Sequence, residues 1–276
     1  MTTRAWRAGG RWIGALLLAL ASIGFHAMHE ADLRLLANFT RDADGGRAMS
    51  DSARVHTYVD YAVRHLRYPR LQDLHPWPVR LYYLLNPMHP SAGDVVRWGS
   101  DYRGPCGSYT RVIHSMLKLR GVPNRILLLL DDRARPIHTV LEVDMKGRWI
   151  VVDPSYGLVF RRRDGALATR DDLVRDTAFF RSQVDTAKGY DAHYDYDSVT
   201  LLNWQKIPVV LPAIHALFVA TLGPERVTRI QRPEIWVWPR EACALLCLLG
   251  SIALAALAWR ESRGSSSPRD ERPPIA

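Results

Sequence analysis

Gly104-Pro105-Cys106-Gly107-Ser108-Tyr109 opens a run of helical character, and three short strand-like runs follow it, at 125–130, 137–143 and 148–153. Val112, Ile113, Met116 and Leu117 recur at helical spacing behind the cysteine, and Gly121 and Pro123 stop the run. Arg125 to Leu130 is continuously apolar after its first residue, as a buried strand is. Ile137 to Val143 alternates, and Arg148 to Asp153 ends at Pro154. Turn-forming residues at 131–136 and 144–147 join the three. A helix followed by a three-strand antiparallel meander predicts an α+β domain in which the cysteine-bearing helix packs on the sheet.

Further signals extend this frame. Ser50-Asp51 starts a helix whose face is Val55, Val59, Ala62, Val63 and Leu66, with Tyr68-Pro69 ending it. Residues 69–100, with five prolines and many aromatics, read as loops and short turns. Thr169 with Asp172 forms a capping-box pattern for a helix reaching Val184. No internal repeat is present.

The chemistry-bearing residues fall at the ends of these elements. A thiolate is the nucleophilic form of cysteine, and a helix N-terminus or an adjacent imidazolium lowers its pKa. Gly104-Pro105 places Cys106 at such an N-terminus, where free backbone N–H groups face the sulfur. The plain alternative is that Cys106 is one more small buried hydrophobe, as free cysteines commonly are. His138 follows on a strand that fixes its ring, and Asp153 closes the next strand. Counting outward from the 144–147 turn brings both to the open end of one hairpin, where an aspartate can hold an imidazole tautomer. Taken alone, a histidine on an apolar strand is usually structural and an Asp-Pro is an ordinary strand end. Their ordered combination predicts a Cys106–His138–Asp153 catalytic set.

Four segments in order, Gly104-Pro-Cys-Gly-Ser-Tyr109, Leu119-Arg-Gly-Val-Pro-Asn-Arg125, His138-Thr-Val-Leu-Glu-Val143 and Gly147-Arg-Trp-Ile-Val-Val-Asp-Pro-Ser155, resemble the transglutaminase-like superfamily over about residues 50–160. The resemblance implies a papain/transglutaminase-like core. It makes Cys106 the nucleophile, His138 the general base and acid, and Asp153 the orienting acid. Leu119 to Arg125 would be the family's helix-to-strand turn, with Arg125 structural and Trp149 a packing residue. His138-Thr139-Val140 departs from the family's small-then-aromatic pattern after the histidine, which bears on substrate preference. The family's oxyanion donors are the backbone at Cys106 and an upstream side chain, for which Trp98 and Tyr102 are the candidates. The resemblance implies thioester-mediated acyl transfer on a protein, peptide or cell-envelope substrate, with hydrolysis expected over cross-linking. The alternative is a catalytically silent scaffold that reuses the fold. No cofactor or metal is expected, because no calcium loop of the Asp-x-Asp-x-Asp-Gly type is present. The acidic, Tyr-rich stretch 190–197 (Asp191, His193, Asp195, Asp197) reads as a solvated loop over the site in preference to a metal site.

The remainder of the chain concerns location. Residues 12–28 are mostly apolar and follow Arg4, Arg7 and Arg11, the pattern of a signal peptide or signal anchor. Ala19-Leu20-Ala21 offers a cleavage site, but apolarity continues to Phe25, which favours retention. Residues 242–259 carry no charge, are long enough to span a bilayer, and are flanked by Trp236, Trp238 and Trp259, with Arg260 and Arg263 following. A buried core helix would need neither those flanks nor that length. The positive-inside rule puts both termini in the cytoplasm and the intervening domain outside it, in the periplasm of a bacterium. The expected organisation is a membrane helix over 1–29, an extracytoplasmic domain over 30–235, a second membrane helix over 240–260 and a disordered tail over 261–276. A third apolar run, 207–222, is broken by Pro208 and Pro212 and either packs on the domain or lies at the membrane surface. The net charge of +9 comes from scattered arginines, 33 of the 37 basic residues, without a stripe or interleaved aromatics, which argues against nucleic acid as a partner. The three cysteines, Cys106, Cys243 and Cys247, leave Cys106 alone in its domain.

Overall fold

The structure, a computed structural model, describes residues 3–66, 91–99, 105–185, 187, 189–191, 194–204, 209–231 and 238–263. The chain divides into two compact units, residues 1–31 with 238–276, and residues 32–237.

Two helices make up the first unit. Helix α1 (Thr3–Asp44) contributes its N-terminal part, and α9 (Pro239–Arg263) closes the described chain. Both are long and apolar enough to cross a membrane. They run antiparallel, since contacts step down α1 as they step up α9. The Ser22 hydroxyl donates to Ala244 O at 2.8 Å, and the Ser251 hydroxyl donates to Ala15 O at 2.8 Å. Gly14 and Gly250 let the backbones approach, because a Cβ at either would meet Leu254 or Leu18 at 3.1 and 3.0 Å. Small residues and reciprocal hydroxyls are the means by which helices associate where no hydrophobic drive exists between them. Arg11 pairs with Glu261 at 2.6 Å at one end, and at the other Arg240 donates to Met28 O.

α1 outlasts the apolar stretch that signals it. At about 1.5 Å per residue its 42 residues reach roughly 63 Å, about twice a bilayer core. Beyond residue 31 the helix buries Leu36, Thr40 and Ala43 at helical spacing and stops at Gly45 and Gly46, both in the left-handed region. At the other terminus, residues 261–263, expected in the tail, form the last turn of α9. The remainder of the tail, like Trp236 and the segment 67–90, lies outside the described residues.

The second unit is α+β. Helix α2 (Asp51–His65) starts at an N-cap in which Ser50 accepts from Ala53 N, and it buries Val55, Tyr58, Val59 and Ala62. Val63, expected on the buried face, is exposed, and Tyr58 takes that role. Tyr58 does so because its hydroxyl donates to Asp44 Oδ1 at 2.7 Å, which satisfies its polar end. Helix α3 (Ala92–Trp98) occupies part of the stretch expected to be loop. Ser91 and Asp94 form a complete capping box at its start. Helix α4 (Pro105–Leu119) buries Val112, Ile113, Met116 and Leu117, packs against α2 and α3, and ends where Gly121 turns left-handed.

The strands are β1 (Asn124–Leu130), β2 (Pro136–Met145), β3 (Arg148–Asp153), β4 (Leu158–Val159) and β5 (Val199–Thr200), in a sheet ordered β4-β3-β2-β1-β5. Each pairing is antiparallel, as the meander predicts. The β2–β3 turn is tighter than expected. Met145 pairs with Arg148, leaving a two-residue loop, Lys146-Gly147, with both residues at positive φ, the geometry that matches strand twist.

Side chains alternate across the sheet. One face carries Leu127, Leu129, Val140 and Val151, which form a core with Phe160, Leu173, Phe180, Tyr196 and Leu201. The other carries Ile126, Leu128, Leu141, Val143, Ile150 and Val152, all buried, and α4 packs on β1 and β2. The helix expected from Thr169 to Val184 is two, α5 (Arg170–Arg175) and α6 (Thr177–Val184). Asp176 caps the C-terminus of one and the N-terminus of the next, its side chain accepting from Phe179 N at 3.3 Å. Helices α7 (Val210–Leu222) and α8 (Pro224–Val227) follow.

Candidate active site

The hairpin register explains the first pair. Leu141 faces Val152, so continuing the count sets Asp153 opposite Val140, a diagonal step along the same face from His138. Diagonal neighbours on a sheet are within reach of longer side chains. His138 Nε2–H donates to Asp153 Oδ2 at 2.7 Å. The second carboxylate oxygen accepts from Ser155 N at 3.2 Å. Both side chains are shut from solvent, His138 at 3% exposure and Asp153 at 0%. With Nε2 held by Asp153, Nδ1 is left for the sulfur.

α4 brings the sulfur. Cys106 stands in its first turn, half-buried, close enough to His138, the Gly107 backbone and Thr139 for all three to act on its thiol. The helix is fastened to the histidine strand one turn on, where the Thr110 hydroxyl donates to Thr139 O at 3.0 Å. Burial pushes the Cys106 thiol up, but the hydrogen bond and charge of His138, with Gly107 and Thr139, outweigh it and hold the thiol below its ordinary value. Burial pulls the His138 imidazolium down, yet the hydrogen bonds and charges of Asp153 and Cys106 raise it to about 9. Both shifts run in the direction that favours a thiolate beside an imidazolium.

An aromatic wall closes this centre. Tyr194 lies flat on the His138 ring, centroids 4.1 Å apart and planes 8° from parallel. Tyr156 approaches the same ring at 5.8 Å and donates its hydroxyl to Gly189 O at 2.9 Å. Tyr190 packs on both tyrosines and shares a hydrogen bond with the buried Tyr196. Tyr194 therefore lies over the site, but the stretch is not the solvated loop expected, since Tyr196 is buried in the core and Tyr190 and Tyr194 pack against it. Among the described residues no cluster of His, Cys, Asp and Glu could hold a metal, and His193 lies outside them.

The structure thus brings Cys106, His138 and Asp153 together. Trp98 ends α3 exposed, and the described contacts do not join it to the three. Tyr102 lies outside the described residues. Two participants escape a sequence reading. Thr139 is hidden because a strand neighbour of His138 should point away from it, to the other face of the sheet. Tyr194 is hidden because its stacking depends on a loop that returns to His138 from far downstream in the chain. Arg125 and Trp149 behave as structural residues. Arg125 Nε–H donates to Glu142 Oε2 at 2.7 Å, and the guanidinium lies 4.2 Å from the Trp149 ring centroid.

Comparison with known proteins gives little further. No family model matches the chain, and no curated protein does. A solved structure described as "Crystal structure of a TGase" is similar at 16% identity and a TM-score of 0.33, over 45% of this chain. The similarity covers 31% of that structure's length.

Proposed function

We propose that this chain is a membrane-anchored, transglutaminase-like cysteine enzyme that transfers acyl groups through a thioester, with hydrolysis of a peptide or amide bond as its reaction. The observation that carries this reading is the buried His138–Asp153 hydrogen bond, with Cys106 on α4 close enough for His138 to lower its thiol pKa. The Cys106 thiolate adds to the carbonyl carbon. The imidazolium delivers its proton to the departing amine as the C–N bond breaks, leaving a thioester on Sγ. Neutral His138 then takes a proton from water, which attacks the thioester and releases the carboxylic acid and the thiol. Asp153 keeps the ring oriented throughout. On this reading the Cys106 backbone amide, at the mouth of α4, receives the developing oxyanion.

The antiparallel pairing of α1 and α9, with arginines at the adjoining ends, supports both termini lying in the cytoplasm and residues 32–237 on the outer side of an inner membrane.

Full-length protein in detergent, with Cys243 and Cys247 replaced by serine, should react with iodoacetamide at a rate set by an apparent thiol pKa well below about 8.5. His138→Ala should abolish that low-pH reactivity. A rate that climbs only near the ordinary thiol range in both proteins would overturn the enzyme reading in favour of a silent scaffold.

A further inference from the structure

Helix α7 is apolar almost all round, yet it leaves much of that surface exposed. It carries no charged residue. Its side towards the protein is Leu211, His215, Phe218 and Val219, with His215 and Phe218 against Trp204 at 5.0 and 6.0 Å between ring centroids. Its outer side is Val210, Ile214 and Leu217 with Pro212, Ala213, Ala216 and Ala220, and Leu217 is 59% exposed. The polar exception on that outer arc, Thr221, turns its hydroxyl back to Leu217 O at 2.8 Å. The inner side is thus apolar apart from His215, and the outer side presents an aliphatic arc as well, which a helix folded against water does not leave bare.

What covers that arc can be read from its surroundings. The apolar exposure spans more than half the circumference, wider than the roughly 100° stripe a helix needs for one protein neighbour. Thirteen residues extend about 20 Å, too short for a core of about 30 Å. Exposed Arg226 and Arg229 follow within two turns, with Glu225 beside them, giving a net positive edge suited to lipid phosphates. The chain already carries two helices of membrane-crossing length, and one of them begins at Pro239, a short way along the chain from the end of α7 at Leu222.

We infer that α7 is an interfacial membrane helix, lying with Ile214 and Leu217 among the acyl chains of a bilayer and Arg226 and Arg229 at its phosphates. Of the two placements the sequence leaves open for this run, the structure favours the lipid one. The inference rests on the membrane reading of α1 and α9 and not on the catalytic one.

Nitroxide collision measurements on the full chain in phosphatidylcholine–phosphatidylglycerol vesicles test it. The three native cysteines are replaced by serine, and single labels are placed through Leu217→Cys, Leu249→Cys in α9, and the exposed loop position Asp132→Cys. The expected result is an oxygen-to-nickel-chelate accessibility ratio at 217 several-fold above that at 132 and on the same side as 249. A ratio at 217 matching 132, with 249 lipid-like, would overturn the inference and leave the membrane reading standing. A label at 217 shielded from both reagents would overturn it in favour of a protein neighbour. Water-like values at 249 as well would remove the membrane reading and the inference together.

Discussion

Strand β2 carries two buried charge pairs on one face, one near each end, and they differ in kind. Glu142 pairs with Arg125 across the β1–β2 ladder, with Trp149 against the guanidinium. His138 pairs with Asp153 across the β2–β3 hairpin, with Tyr194 against the imidazole. Each has a carboxylate, a planar cation and an aromatic cover. A guanidinium offers no proton-transfer chemistry at ordinary pH, so the Arg125–Glu142 pair can only hold strands together. The His138 imidazole does offer it, and a thiol lies beside it. On the proposed reading, the same architecture is a brace at one end of the strand and proton-transfer equipment at the other. The deciding variables are the pKa of the cation and the neighbour brought by α4.

The comparison breaks most visibly at the site. Asp153→Asn should lower acyl-transfer activity by roughly 10²–10⁴-fold, because the amide cannot hold the imidazolium or its tautomer. Glu142→Gln should leave activity within a few-fold of wild type, measured as kcat/KM on an activated amide. The next effect is on stability. Arg125→Met strands the buried Glu142 carboxylate and should cost about 2–3 kcal/mol, read from the melting temperature of full-length protein in detergent. Adding Glu142→Leu should recover most of that loss, and the Cys106 alkylation pH profile should not move in either variant.

A third test separates the pairs by pH. His138 has its folded pKa raised from 6.5 to about 9, so its pairing contributes fully below 6.5 and is lost as pH rises through 9. The difference in melting temperature between wild type and His138→Gln should therefore shrink across that window, whereas the difference for Arg125→Met should stay flat. The smallest effect concerns the covers. Tyr194→Ala should remove a stacking interaction of about 0.5–1.5 kcal/mol and slow thiol alkylation a few-fold. Tyr194→Phe, which keeps the ring, should restore the rate, and failure to do so would shift the role to the hydroxyl.

The legible parts of this molecule are those written in short-range pattern. α4, the three central strands, the Ser50 cap and the Thr169–Asp172 box rest on periodicity and turn chemistry within a few residues. Cys106, His138 and Asp153 could be linked because two of them lie on one hairpin. The misses have longer reach. α3 was hidden by its proline-rich surroundings, although Ser91 and Asp94 spell a capping box. The break at Asp176 was hidden because one residue caps two helices, its backbone N–H donating to Asp172 O and its side chain accepting from Phe179 N. α1 runs on to Asp44 because distant residues bury Leu36 and Ala43, which no local hydropathy reveals. Tyr194 needed the whole sheet and its following loop to reach His138.

The two-residue turn at Lys146-Gly147 has a consequence for how this fold can vary. A strand has two faces, so the meeting of His138 with Asp153 is a matter of parity. Slipping the hairpin by one residue would send the carboxylate to the side that carries Leu141 and Val152, away from the imidazole. Slipping it by two would return the carboxylate to the correct side but displace it about 7 Å along the strand. Exposed positions of this hairpin can therefore change more readily than its residue count, and lineages that keep the pairing should differ here in spelling and never in length.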